Sequence, residues 1–360
     1  MTQTAAVLTH GWFSTVNAKT AHGLVRGPSR YRVIGLVDHA CAGRDAGEVL
    51  DGEPRGIPIF ATLDELIAAV GKPDVCVVGI ATPGGVLPEE FRGLLLDAVR
   101  RGVGLVNGLH TFVSDDSEIA GIAAVTGAPL LDLRKPKPRS QLRFWSGAIR
   151  SVRAPRVAVL GTDCALGKRT TSQVLVAACK DAGLNAALVY TGQTGWLQGM
   201  RHGFILDSTV NDFVSGELER AVVDCDRDQS PDVIFLEGQS ALRNPSGPCG
   251  AELLVSAEAR GVILQHAPAR EFFEEQEDLG NRIPDLASEI TLIGLYGARV
   301  LAVAVNHEHL PEADREAARQ KIERDTGVPA FFPLPTQARG ADRAVAAIRE
   351  YLQQQLGARR

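Results

Sequence analysis

Short apolar runs alternate with amphipathic stretches along the whole chain, and this pattern predicts an α/β protein. In the first part, aliphatic and β-branched runs predict strands at residues 5–8, 32–37, 75–80, 104–106 and 129–133. Helical spacing separates several of these runs, notably at 63–70 and 88–101. Alternation of this kind is typical of a doubly wound parallel sheet, so we predict a Rossmann-like domain over residues 1–138.

The second part of the chain repeats the alternation. Apolar runs predict strands at residues 156–160, 186–190, 232–236, 261–265, 300–305 and 330–332, and helical spacing is clear at 172–180, 313–326 and 341–356. A basic, proline-spaced run at 134–139 cannot continue a helix or a central strand, and it reads as a solvated linker or as a hinge facing phosphate or carboxylate. We therefore predict a second doubly wound parallel sheet over residues 139–360.

A glycine-bounded loop between a predicted strand and a predicted helix carries the strongest chemical signal. The segment 161–171 reads GTDCALGKRTT, and in this context backbone N–H groups, the helix dipole and the lysine converge on an anion. The candidate phosphate-binding residues are Gly161, Thr162, Asp163, Cys164, Ala165, Leu166, Gly167, Lys168, Arg169, Thr170 and Thr171. The predicted second domain is therefore of the P-loop type.

The loop departs from the standard Walker A pattern at two positions. Thr162 stands where the usual spacing has glycine, and Arg169 stands where Ser or Thr holds Mg²⁺. Because a guanidinium cannot ligate a metal, we predict phosphate binding without a metal site. Two alternatives stay open: Arg169 points to solvent from the first helical turn, or Asp163, Thr170 and Glu237 still assemble a metal site.

Polar residues follow the predicted strands of the second domain, where open parallel sheets place ligands. We take Thr191, Gln193, Thr194 and Gln239 as candidate substrate-binding residues for this reason. Glu237 ends an apolar strand, as an acid that holds a metal or accepts a proton should, and a helix-capping role is its alternative.

Four further residues have a functional and a structural reading. His266 is a candidate general base, although a lone histidine at a strand end is often structural. Asp212 opens a predicted helix, so it is a helix N-cap or a catalytic acid beside a switch-type loop. Arg201 and Arg243 follow candidate site segments and are either surface charges or bidentate partners for a substrate carboxylate.

The first domain lacks the signature of a dinucleotide site. Its first predicted turn, residues 9–17, has no GxGxxG, and Asp38 at the end of the next strand reads as a cap or turn residue. We therefore expect a Rossmann-like shape without NAD.

Composition limits the classes of function. A net charge of −5 argues against nonspecific nucleic-acid binding, and the scattered cysteines show no CxxC pair for zinc. No apolar run reaches the length of a membrane span, and no signal peptide is visible, so we expect a cytoplasmic protein, assembled as a homo-oligomer, with a small-molecule substrate.

Several motifs also carry family resemblances. The GTD opening of the loop and Glu237-Gly resemble dethiobiotin synthetase, a P-loop enzyme. The resemblance implies that Glu237 binds Mg²⁺ and that Asn306 contacts the edge of a purine. The alternative for Asn306 is an ordinary turn asparagine at the end of a strand. A larger set of segments resembles the P-loop family that includes D-glutamate N-acetyltransferase. The set comprises the phosphate loop, the second-domain segments 190–195, 210–214, 216–218 and 236–239, and the first-domain segments 19–21, 108–110 and 132–136.

This second resemblance implies a two-domain enzyme that transfers an acetyl group from acetyl-CoA to the amino group of D-glutamate or a related small amino acid. The chain departs from the family at Asn244, which stands where the family has a histidine, and a different acceptor is one consequence if that histidine takes part. An ATP- and Mg²⁺-dependent ligase or small-molecule kinase is the alternative, and a nucleotide-binding regulatory protein is a third class. The sequence leaves open whether the loop holds CoA, ATP or GTP.

Overall fold

The chain crosses three times between two α/β units. The computed structural model describes residues 2–334 and 340–358. Within these described residues, one unit holds residues 2–137 with Gln193–Met200, and the other holds Pro138–Gly192 with residues 201–334 and 340–358. The first crossing therefore falls inside the basic, proline-spaced run of the sequence.

The first unit is built on a parallel sheet with the strand order β3-β2-β1-β4-β5-β6. Its strands are β1 Thr4–Leu8, β2 Arg32–Val37, β3 Ile59–Phe60, β4 Val75–Val78, β5 Gly104–Asn107 and β6 Leu130–Asp132. Its first five helices are α1 Lys19–Arg26, α2 Ala46–Asp51, α3 Leu63–Val70, α4 Glu89–Arg100 and α5 Ser117–Thr126. β4 is buried along its whole length, as expected for a strand covered by helices on both faces. The Rossmann-like prediction is confirmed.

Asp38 organises the turn after β1. Its carboxylate accepts hydrogen bonds from the hydroxyl of Thr9 (2.8 Å) and from the amides of Gly11 (2.8 Å) and Phe13 (3.0 Å). It also accepts from the amides of Ala40 and Cys41, at 3.1 Å each. The amides that a dinucleotide fold turns towards a pyrophosphate thus face a carboxylate of the protein itself. This agrees with the turn role that the sequence favoured for Asp38.

The second unit carries a larger parallel sheet with the order β13-β12-β11-β7-β10-β8-β9. Its strands are β7 Arg156–Gly161, β8 Ala186–Tyr190, β9 His202–Gly203, β10 Val233–Glu237, β11 Gly261–His266, β12 Arg299–Val305 and β13 Ala330–Phe331. The helices of this part of the chain are α6 Lys168–Asp181, α7 Gln193–Leu197, α8 Asn211–Gln229, α9 Ala251–Val255, α10 Leu286–Leu295, α11 Glu312–Thr326 and α12 Asp342–Ala358. Of these, α7 belongs to the first unit.

Helices cover both faces of the second sheet. Leu175 of α6 and Ile348 of α12 pack on one face, and Leu218 of α8 and Ile293 of α10 pack on the other, all without exposure to solvent. Each such buried side chain contributes about 1.5–3 kcal/mol to the free energy of folding. The predicted α/β architecture of the second domain is confirmed.

The crossing segment 193–200 is bound tightly within the first unit. Leu197 is fully buried, and its carbonyl accepts a hydrogen bond from the amide of Arg30 at 2.7 Å. The Arg30 guanidinium lies 4.1 Å from the ring centroid of Trp196, a cation–π contact. Gln198 donates to the carbonyl of Gly23 at 2.9 Å.

Helix α8 holds the chain that enters the second unit. The buried Glu219 carboxylate accepts from the amides of Ser146 (2.7 Å) and Ile149 (3.1 Å), and Glu217 accepts from the amide of Arg143 (3.1 Å). A Cβ at Gly216 would lie 1.9 Å from the carbonyl oxygen of Arg143, so only glycine lets the backbone pass. The motif at 216–218 therefore has a structural role here. No helix among the described residues is long and apolar enough to cross a membrane.

Candidate functional site

The phosphate loop joins the central strand of the second sheet to a helix. β7 ends at Gly161, α6 begins at Lys168, and the exposed Ala165 and Gly167 between them have positive φ angles of 49° and 96°. This left-handed backbone turns the loop back over the start of the helix, where N–H groups have no partner within the helix. The loop that the sequence predicts is therefore present as strand, turn and helix.

Lys168 is held beneath the loop. Its ammonium donates to the carbonyls of Asp163 at 2.7 Å and Ser240 at 2.8 Å, and the side chain is buried. Burial lowers the pKa of Lys168, while the nearby Cys164 and Asp163 raise it. An ammonium has three protons, so one remains for a ligand anion after these two bonds.

Asp163 is saturated by groups of the protein. Its fully buried carboxylate accepts from the amides of Cys164 (2.6 Å) and Glu274 (2.8 Å), from the Asn244 amide group (3.1 Å) and from Arg270 Nη1 (2.9 Å). Arg270 is itself fixed by the carbonyl of Cys164 and by Glu308. The acid of the GTD motif thus anchors the loop and offers little room for a metal ion.

Two side chains from β11 hold the ends of the loop. The Thr162 hydroxyl lies 3.1 Å from His266 Nδ1, and the Thr171 hydroxyl donates to Gln265 Oε1 at 2.5 Å. Burial lowers the pKa of His266 to about 4, so the ring is neutral at physiological pH. At that pKa His266 is a weak base, and its contact is with the loop. Thr170, the residue before Thr171 in α6, is half-buried.

Glu237 lies at the carboxyl end of β10, beside the phosphate loop. Its buried carboxylate accepts from the amide of Thr191 at 3.0 Å, and the Thr191 hydroxyl donates to the Glu237 carbonyl at 2.7 Å. Gln239 Nε2 donates to the same hydroxyl at 2.9 Å. Burial raises the pKa of Glu237, and Arg169 is the strongest opposing influence, followed by the amides of Thr191 and Gly192. The sequence candidates Thr191, Glu237, Gln239 and Arg169 are thus brought together.

Two asparagines support the loop. Asn306, directly after β12, donates to the carbonyl of Leu166 at 3.1 Å and accepts from the amide of Glu308 at 2.8 Å. Asn244 is buried; besides binding Asp163, its oxygen accepts from Ser246 and from Gln276. Both amide groups hold protein segments in place. Asn244 is therefore part of the scaffold beneath the loop.

Two of the candidate arginines are engaged with protein acids. Arg201 is largely exposed and pairs with Asp228 at 3.0 Å, in the last turn of α8 and away from Glu237. Arg243 pairs with the buried Glu289 at 2.6 Å and donates to Ser288 at 2.8 Å. Arg243 lies on the loop that supplies the Ser240 carbonyl to Lys168, whereas Arg201 does not.

Three other candidates lie in helices α7 and α8. Gln193 and Thr194 are buried in α7 of the first unit, where Arg134 donates to Gln193 Oε1 at 3.2 Å. Asp212 is exposed in the first turn of α8. The N-cap reading of Asp212 is wrong, because the helix begins at Asn211 with Val210 as the N-cap residue.

The sequence missed the residues that anchor Asp163. Arg270 and Glu274 donate to Asp163, and Gln276 donates to the neighbouring Asn244. All three lie about a hundred residues beyond the loop, in a segment without a strong strand or helix pattern. Gln265 was missed as well, although its place just before His266, near the end of a buried strand, is a signal that could have identified it.

Comparisons with known proteins agree with this architecture. Residues 143–343 match a domain of unknown function described as the DUF1611_C P-loop domain, and residues 39–136 match the DUF1611_N Rossmann-like domain. A crystal structure of a DUF1611 family protein from Anabaena variabilis ATCC 29413 is 28% identical, with a TM-score of 0.85 over 97% of this chain and 99% of that one.

Two curated relatives carry a functional name. A D-glutamate N-acetyltransferase from Tritonibacter scottomollicae is 30% identical over 80% of this chain and 84% of that protein. Another, from a Pseudoalteromonas species, is 27% identical over 72% of this chain and 77% of its own length. The chain therefore belongs to the DUF1611 family of D-glutamate N-acetyltransferase-like proteins, with an N-terminal Rossmann-like domain and a C-terminal P-loop domain.

Proposed function

We propose that this protein is an N-acetyltransferase that moves the acetyl group of acetyl-CoA to the amino group of D-glutamate or a related small amino acid. The observation that carries the proposal is a phosphate loop lying next to a buried carboxylate, Glu237, while the acid of the loop, Asp163, is saturated by protein donors. A site that binds phosphates and offers a base, but in which the acid of the loop is not available to a metal, suits acyl transfer from a thioester better than phosphoryl transfer. The names of the two curated relatives support the same choice.

The phosphate loop is proposed to hold the phosphates of CoA. Acetyl-CoA supplies an activated acetyl thioester, and the loop anchors it through the Lys168 ammonium and the first N–H groups of α6. His266, Gln265 and Asn306 keep the loop in shape for this task through their contacts with Thr162, Thr171 and Leu166.

Glu237 is proposed to take the proton from the attacking amine. Only a neutral amine is nucleophilic, and a carboxylate whose pKa is raised by burial accepts a proton more readily than an exposed one. The amide of Thr191 orients this carboxylate, and Gln239 holds Thr191 in place through its hydroxyl. The amine nitrogen then forms a bond to the acetyl carbon, and the carbon–sulfur bond breaks. The nitrogen gives its second proton to the departing thiolate, so CoA leaves as the thiol, and Glu237 later returns its own proton to water.

The acceptor is tested directly by an acetylation screen. Purified protein is incubated with acetyl-CoA and single D- or L-amino acids, and thiol release is followed alongside mass spectrometry of the products. We expect N-acetylation of a D-amino acid with a side-chain carboxylate. Release of ADP or phosphate from ATP with Mg²⁺, and no thiol release with any amino acid, would instead favour the ligase or kinase.

A further inference from the structure

The position directly after Lys168 determines what kind of cation this loop presents. In P-loop nucleotide enzymes, Mg²⁺ lies between the Ser or Thr after the loop lysine and an acid at the end of a neighbouring strand. The corresponding residues here are Arg169 and Glu237. A guanidinium only donates hydrogen bonds, and the Thr171 hydroxyl is engaged by Gln265. Arg169 and the saturated Asp163 therefore supply no ligand for Mg²⁺, which leaves Glu237 and the half-buried Thr170 of the metal set that the sequence allowed.

The Arg169 side chain is directed into the protein. The residue is half-buried in the first turn of α6, and its Nε atom is screened from solvent. β7 and β10 are neighbouring parallel strands, with Glu237 opposite Val159, so α6 starts near the end of β10. The positive charge of Arg169 acts on the buried Glu237 and opposes the rise in its pKa. Arg169 thus does not simply point to solvent.

We infer that the guanidinium of Arg169 is a built-in cation that replaces Mg²⁺ at this loop and selects a phosphate ligand that carries no metal. This inference rests on the proposed function, and it names the ligand chemistry of the same site: a diphosphate such as that of CoA. Arginine stays charged throughout the physiological pH range and binds phosphate oxygens through a planar fork. A Mg²⁺ ion bound to ATP would lie close to the fixed positive charge of Arg169. This repulsion disfavours binding of the Mg²⁺–ATP complex.

Calorimetry with CoA, and with ATP as the competing ligand, tests the inference. For the wild type we expect the same CoA affinity in EDTA and in millimolar Mg²⁺, and weaker binding of ATP when Mg²⁺ is added. Arg169→Ser restores the residue of a standard P-loop, so its CoA affinity in EDTA should fall at least tenfold, equivalent to about 1.4 kcal/mol. Arg169→Lys keeps the charge without the fork and should lie between the two.

Arg227→Ser is the matched control. Arg227 is an exposed arginine of α8 that pairs with Asp224 and Asp228, and its removal should leave CoA affinity unchanged. Thermal unfolding of each variant establishes that it is folded, and Arg169→Gln replaces Arg169→Ser if the serine variant is not. The inference is overturned if a folded Arg169→Ser or Arg169→Gln variant binds CoA in EDTA as the wild type does, or if the wild type needs Mg²⁺ to bind CoA.

Binding and turnover separate the two proposals. If no amino acid is acetylated but metal-free CoA binding depends on Arg169, the inference stands and the proposed function fails. If acetyl transfer is found and CoA affinity does not depend on Arg169, the proposed function stands and the inference fails.

Discussion

The Arg270–Asp163 ion pair provides a quantitative test of how the phosphate loop is held. The carboxylate of Asp163 is fully buried, and the Arg270 side chain is only 12% exposed. Arg270→Ala removes the bond to Asp163 Oδ2 and the bond to the Cys164 carbonyl, and it leaves a negative charge in the interior. We expect the loop to lose stability and phosphate affinity together, because both bonds end on loop residues.

The size of the effect follows from burial. Removing one partner of a buried ion pair costs about 3–5 kcal/mol. Asp163 keeps the donors from Cys164, Asn244 and Glu274, so the lower value of about 3 kcal/mol applies to the free energy of unfolding. For a unit of this size each kcal/mol shifts the melting temperature by roughly 2–4 °C, which gives a loss of about 6–12 °C.

Arg282 lies in the same segment and offers a matched control. It pairs with Glu271 at the surface, where both side chains are 62% exposed, so Arg282→Ala should cost under about 1 kcal/mol. Thermal unfolding by circular dichroism gives the melting temperatures, and calorimetry against CoA gives the affinities. A melting temperature for Arg270→Ala within about 2 °C of that for Arg282→Ala would refute the reasoning.

Five other substitutions test individual roles. Lys168→Ala should weaken CoA binding at least tenfold, or about 1.4 kcal/mol, by calorimetry; unchanged affinity in a folded variant would place the ligand elsewhere. Glu237→Gln should lower turnover about a hundredfold, whereas normal turnover with a lower melting temperature would make Glu237 a structural residue. Arg243→Lys should raise the KM of the amino acid acceptor and Arg201→Lys should not, since only Arg243 lies on the loop behind Lys168; equal effects in a steady-state assay would contradict this. His266 takes up a proton near pH 6.5 in the unfolded chain but only near pH 4 in the folded chain, so lowering the pH between these values favours unfolding. The melting temperature of His266→Gln should therefore fall less than that of the wild type when the pH is lowered from 7 to 4.5.

The local elements were predictable because their signals are contiguous in the sequence. The apolar run 156–160 became β7, and the glycine-bounded loop was followed by α6, as the strand, turn and helix propensities of neighbouring residues require. The helix predicted at 313–326 is α11, Glu312–Thr326. The two-residue strands β3 and β9 were not predicted, since so short a segment has no periodicity to detect. The equally short β13 was predicted, from the apolar run 330–332.

Tertiary partners were not predictable from local pattern. The groups that saturate Asp163 come from residues 244, 270 and 274, far away in sequence, and nothing in their own neighbourhoods indicates a buried carboxylate. The motif 190–195 reads as one functional loop, yet the structure divides it: Thr191 binds Glu237, and from Gln193 onward the chain packs in the first unit. Residues from Gln193 onward belong to the first unit because Leu197 is buried against residues of α1 and the first sheet. The residues of α1 lie more than 150 residues earlier in the chain, so the local sequence gives no sign of the division.

The packing of residues 193–200 has a consequence for synthesis on the ribosome. Domains generally fold as they emerge, the N-terminal one first, but here the first unit gains its last segment about 55 residues after Lys137 has been made. Until then the surface that receives Trp196 and Leu197 stays uncovered in the nascent chain. A fragment ending at residue 138 lacks these side chains, and one starting at 139 carries them without their binding surface. Separate expression of the two halves should therefore yield poorly folded protein.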